Sequence, residues 1–87
     1  MSDFIYTITE RIAVLSQSVN GEKTLELNRI SYNGWAAKLD LRRWEHSNGE
    51  DSMRKGITLT EEEAAELKAA LDRIILKGED SYGENGK

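Results

Sequence analysis

No cysteine occurs among the 87 residues, which removes disulfides and thiolate metal sites and makes a reducing cytoplasm the expected setting. No apolar run is longer than Ile12 to Leu15, far short of the ~20 residues that a spanning helix needs. The opening Met-Ser-Asp-Phe carries an acid where a secretion signal carries bases. The single histidine, His46, sits in a polar stretch without a second ligand at metal-binding spacing. No nucleophile, base and oxyanion donor form a recognisable set. The expectation is a soluble, non-catalytic protein with no cofactor and no metal site. A chain of this length makes one domain at most and has no covalent staple, so dimerisation is the expected way to enlarge its core.

What is present is unevenly distributed charge. The net charge of −4 argues against a general polyanion binder. Residues 61–87 carry eight acids against four bases, whereas residues 23–44 carry five bases (Lys23, Arg29, Lys38, Arg42, Arg43) against Glu26 and Asp40. Arg54 and Lys55 add a basic pair just beyond. A local basic zone on an acidic chain can hold phosphates while the remainder keeps the protein soluble.

Apolar residues at Phe4, Tyr6, Ile8, Ile12 and Val14 alternate with period two, which predicts a strand with one buried face, bent or broken at Glu10-Arg11. Asn20-Gly21 and Asn33-Gly34 suit type I′ hairpin turns and delimit strands near 10–19, 22–32 and 35–45. The first turn sets Val14 opposite Leu27 and Ser16 opposite Leu25. Continuing regularly through the second would face Leu27 with Asp40. One extra residue near Ala36-Ala37, a β-bulge, instead pairs Leu27 with Leu41 and Glu26 with Arg42. The core face then holds Ile12, Val14, Leu25, Leu27, Leu39 and Leu41, with Arg29 snorkelling to an edge. The opposite, wet face holds Ala13, Leu15, Asn28, Ile30, Tyr32, Lys38, Asp40, Arg42 and Trp44.

Glu45 to Ser52 reads as a polar loop, and Arg54 to Leu59 as extended chain. Thr60 and Glu63 form a capping box, with Glu61 and Glu62 suiting the positive helix end. Ala64, Leu67, Leu71 and Ile74 or Ile75 make an apolar stripe that Ala65, Ala69 and Leu76 widen toward a dimer contact, and Lys77-Gly78 is the expected stop. The domain spans 1–77, and 78–87 is expected to be a disordered polar tail.

Cations interleaved with aromatic rings on a sheet are the equipment for single-stranded nucleic acid, phosphates taking the charges and unstacked bases the rings. Each residue has a plainer reading beside this one. Arg42 is equally suited to pair with Glu26 across the strands. Trp44 could be core, Tyr32 and Trp35 could stack on each other, and Arg54 and Lys55 could be solvated charges.

The Asn33-Gly34 hairpin, the strand Lys38-Leu-Asp-Leu-Arg-Arg-Trp44 and Arg54-Lys-Gly-Ile-Thr-Leu-Thr60 entering a terminal helix together resemble the positive-cofactor-four family of transcriptional coactivators (the p15 family). The likeness is greatest to its small bacterial YdbC-type branch and covers roughly residues 4 to 77. The resemblance implies an α+β fold: a curved four-stranded antiparallel sheet followed by one C-terminal helix, dimerising through the helices. It also implies single-stranded DNA held on the sheets with little sequence preference, in the cytoplasm or at the nucleoid, assisting transcription, replication or repair machinery. Carried over by position, the nucleic-acid-binding residues are Tyr32, Trp35, Lys38, Arg42, Trp44, Arg54 and Lys55. Trp35 and Asn33 stand where cations are expected, implying fewer phosphate contacts. No counterpart of the serine-rich arm of eukaryotic members is expected, so the resemblance does not carry over coactivator function in that sense. The alternatives are a dimeric protein–protein module whose basic strand meets an acidic partner, or a binder of single-stranded RNA.

Overall fold

The structure, a computed structural model, describes residues 5–74. Four strands, β1 (Tyr6–Gln17), β2 (Lys23–Tyr32), β3 (Lys38–Ser47) and β4 (Glu50–Leu59), form one antiparallel sheet in the order β1-β2-β3-β4, and the helix α1 (Glu61–Asp72) follows. This is the expected α+β meander with a C-terminal helix.

Asn-Gly pairs occupy all three turns, but in different ways. Asn33 (φ 52°) and Gly34 (φ 81°), like Asn48 (φ 53°) and Gly49 (φ 77°), are both left-handed, as a type I′ turn requires. Asn48-Gly49 joins Ser47 directly to its partner Glu50, so the expected polar loop over Glu45–Ser52 is instead the tightest hairpin of the sheet. Its strand ends have no apolar alternation because this end of the hairpin buries little. At Asn20-Gly21 only the glycine is left-handed. The turn is wider, with the Asn20 Oδ1 accepting the Glu22 amide at 3.0 Å and the Ser18 hydroxyl oxygen accepting the Lys23 amide at 3.0 Å.

Leu27 pairs with Leu41 and Glu26 with Arg42, the register that the apolar pattern demands. The additional residue does not form a bulge within a strand. Ala36 and Ala37 lie in the connection between β2 and β3, where a longer loop absorbs it without disturbing the ladder. The irregularity is concentrated in β1, whose register slips between Ile8 and Glu10, between Arg11 and Ala13, and between Val14 and Ser16. Two of these slips flank Glu10-Arg11. Ser16 meets Leu25 as expected, but Ala13, not Val14, meets Leu27. Each slip exchanges faces, which leaves Ile12 and Val14 41% and 58% exposed and outside the core.

Bulges bend the strand that carries them, and here the result is a curled sheet. Tyr6 pairs with Tyr32 at one end of β2 and Trp44 with Thr24 at the other. In a flat sheet that separation is roughly 25 Å, yet the two rings meet with centroids 5.7 Å apart. The face turned away from the helix therefore closes on itself. Thr24, Glu26, Asn28, Ile30, Asp40 and Trp44 on it are buried, so the face expected to be wet is the most enclosed one among the described residues.

The helix covers the other face incompletely. Thr60 closes the capping box, its side chain accepting the Glu63 amide at 3.0 Å while its own amide donates to Glu63 at 2.8 Å. The helix ends at Asp72 with Arg73 as its C-cap, short of the expected Lys77-Gly78 stop. That stop, with Phe4, Ile75, Leu76 and the expected tail at 78–87, lies outside the described residues. Leu27, Leu39, Leu41 and Leu59 of the sheet and Ala64, Leu67 and Leu71 of α1 flank a groove of about 400 Å³ that Leu15 also lines. No residue of α1 is buried. Arg29 escapes this apolar surface through Glu61 at 2.5 Å and Glu10 at 3.2 Å. The hydrogen bond and charge of Glu61 raise the Arg29 pKa, and those of Arg29 lower that of Glu61. Among the described residues no helix is long and apolar enough to cross a membrane.

Candidate nucleic-acid interface

Between the pairs Arg42↔Gly56 and Trp44↔Met53 the register shifts, so that Arg54 and Lys55 together oppose Arg43. This bulge carries the basic pair. Alternation places Lys23, Arg43 and Glu45 on the same side of the sheet as Leu25, Leu27 and Leu41. An open groove of about 430 Å³ is lined by these three together with Arg54, Lys55 and Trp44. Lys23, Arg43, Arg54 and Lys55 are all exposed. Glu45 takes the Arg54 guanidinium at 2.7 Å, leaving a net excess of positive charge facing solvent.

The enclosed face carries a different arrangement. Asp40 is fully buried and accepts Nε of Arg42 at 2.9 Å, Nη2 of Arg42 at 2.7 Å and the Tyr32 hydroxyl at 2.5 Å. The Nη1 of Arg42 donates to the Arg54 carbonyl at 2.9 Å. Asp40 holds the Arg42 pKa above its ordinary value despite the opposing effect of burial. Burial, and then the hydrogen bond to Asp40, push the Tyr32 hydroxyl up to about 12. The phenol is thus held neutral beside the Arg42–Asp40 pair.

The seven candidate residues are thus not one cluster. Arg54 and Lys55 lie in the cationic groove, and an edge of Trp44 lines it with them. Tyr32, Lys38, Arg42 and Trp44 belong by alternation to the enclosed face, where Lys38 is exposed, Tyr32 half-buried and the Arg42 side chain 16% exposed. Arg42 stands opposite Glu26 but is paired with Asp40, its neighbour on the same face. Trp44 is 2% exposed, packed beneath Tyr6, so the expectation of an open stacking platform is corrected: the curl of β1 covers it. Trp35, in the loop after β2, is 75% exposed and is the open tryptophan.

Lys23 and Arg43 were not among the expected site residues. Their sequence signal is weak: Arg43 lies beside Arg42, and only its pairing with Leu25 puts it on the opposite face. His46 is also not in a loop. It lies in β3, with Nδ1 2.8 Å from Asp51 and Nε2 2.9 Å from the Thr24 hydroxyl.

The family model of Transcriptional Coactivator p15 (PC4) matches residues 19–70, more than half of the chain. The chain belongs to that family. PC4 proteins are a non-enzymatic nucleic-acid-binding family, known for single-stranded DNA binding and coactivator roles. The matched span takes in β2, β3 and β4, hence both the cationic groove and the Asp40 site. An uncharacterized protein of Treponema pallidum (strain Nichols) is 42% identical over 74 residues, which is 85% of this chain and 84% of the relative.

Proposed function

We propose that the protein binds single-stranded DNA without catalysis and with little sequence preference, as a homodimer, in support of transcription, replication or repair. The observation that carries this reading is the gathering of Lys23, Arg43, Arg54 and Lys55 on one groove of a chain whose net charge is −4. Such a local concentration of cations is self-repelling at close range, and among the described residues only Arg54 has a carboxylate partner there. Phosphates are the natural counter-charge. Trp35 offers an open aromatic face for a base, each such stack being worth about 1–3 kcal/mol. Pairing of two copies accounts for the apolar groove beside α1, a surface that one protomer leaves half-covered. Membership in PC4 supports the nucleic-acid class.

Titration of the Trp35 emission with oligo-dT, matched oligo-U and a duplex tests the reading. Single-stranded DNA should bind with strong salt dependence and duplex more weakly, because its bases are already stacked. Equal or tighter binding of oligo-U moves the ligand to RNA. No binding to any of the three, with retention of an acidic peptide, moves the groove to protein recognition.

A further inference from the structure

We propose that Arg42 is a positioning residue, holding in place the β4 bulge that presents Arg54 and Lys55, and that it is not itself a phosphate ligand. This rests on the nucleic-acid reading of the cationic groove. A bulge takes residues out of the regular ladder and leaves backbone groups without a cross-strand partner. The Arg54 carbonyl in this bulge receives its hydrogen bond from Nη1 of Arg42. The rest of the guanidinium is already committed: Nε and Nη2 to the buried Asp40 carboxylate, and Nη2 also to the Tyr32 oxygen at 3.3 Å. A guanidinium has five donors in a fixed plane, so a fork anchored by Asp40 points Nη1 in one direction only.

Two further observations support this assignment. Arg42 belongs by alternation to the enclosed face and does not line the groove that holds Arg54 and Lys55. Its side chain therefore reaches the groove through a backbone carbonyl and not through shared solvent. Gly56, the partner of Arg42 in the ladder, sits so close that an added Cβ would come within 2.6 Å of the Arg42 Cα and of the Leu41 carbonyl oxygen. Arg42 is thus packed against one end of the bulge and hydrogen-bonded to its first residue.

Arg42→Lys separates the two roles. Lysine keeps the positive charge but lacks the fork that joins Asp40 to the Arg54 carbonyl. The positioning role predicts that Arg42→Lys and Arg42→Ala weaken oligo-dT binding by the same factor. It also predicts that both flatten the slope of log affinity against log salt by the worth of two phosphates, about 1.4. Adding Lys55→Ala to Arg42→Lys should then change little. Amide hydrogen exchange at Lys55 and Gly56 should accelerate in Arg42→Lys while that of β2 does not. Should Arg42→Ala fail to fold, Arg42→Lys carries the comparison alone. Wild-type affinity and slope in Arg42→Lys, or unchanged exchange at Lys55 and Gly56, would overturn the proposal. If the wild-type protein does not bind oligo-dT, it is the nucleic-acid reading that fails, and the exchange measurement still decides whether Arg42 holds the bulge.

Discussion

Arg42 closes on Asp40 from two positions along the same strand, Nε at 2.9 Å and Nη2 at 2.7 Å from its carboxylate oxygens, with Asp40 wholly out of solvent. Breaking such a pair on one side leaves the other charge with little water to replace its partner. Asp40→Ala should cost about 3–5 kcal/mol, the range for removing one member of a buried ion pair. Urea denaturation measures this directly. A change within a few tenths of a kcal/mol would show that solvent reaches the pair freely.

Tyr32 gives the same site a pH signature. Its hydroxyl ionises at about 12 in the folded chain and at about 10 in the unfolded one. The protonated phenol is the form favoured by folding, so its contribution is full below about pH 10 and is lost as the pH rises to about 12. The stability advantage of the wild-type protein over Tyr32→Phe should shrink across that window. A constant difference between the two proteins would contradict the assignment.

The two tryptophans should behave oppositely. With Trp35 75% and Trp44 2% exposed, iodide should quench the first and spare the second. Trp35→Phe should leave a blue-shifted, protected emission. Trp44→Ala should destabilise the fold by about 3–5 kcal/mol, as truncation of a buried large ring does, and any loss of DNA binding should follow from that loss.

Leu67 and Leu71 are 42% and 46% exposed on α1, and burying such a side chain fully is worth about 1.5–3 kcal/mol. The wild-type protein should sediment as a dimer at micromolar concentration and Leu71→Asp as a monomer. A monomeric wild-type protein would remove the second copy from the account.

The meander, its β2–β3 register and the capped helix were legible in the sequence because each has a local signature: Asn-Gly pairs, leucines that must meet leucines, and Thr60 with Glu63. The burial of Trp44 was not, because it depends on β1, whose three slips curl the sheet and leave no single period in the sequence. The same slips displaced Ile12 and Val14 from the core. The candidate site was half legible. Arg54 and Lys55 stood out as a pair before Gly56, but they meet Lys23 and Arg43 only through the bulge in β4 that carries them. That Arg42 pairs with Asp40 and not with Glu26 was not legible, because parity shows the face of a residue and not the neighbour that will bind it.

The cationic groove is the centre of the account, and the salt dependence of oligo-dT binding tests it most directly. Each phosphate neutralised on a single strand contributes about −0.7 to the slope of log affinity against log salt, so full engagement of Lys23, Arg43, Arg54 and Lys55 gives about −3 per protomer. Replacing all four with alanine should nearly abolish both affinity and slope while the thermal transition stays in place, since the four side chains are exposed. Unaltered affinity and an unaltered slope in that variant would contradict it.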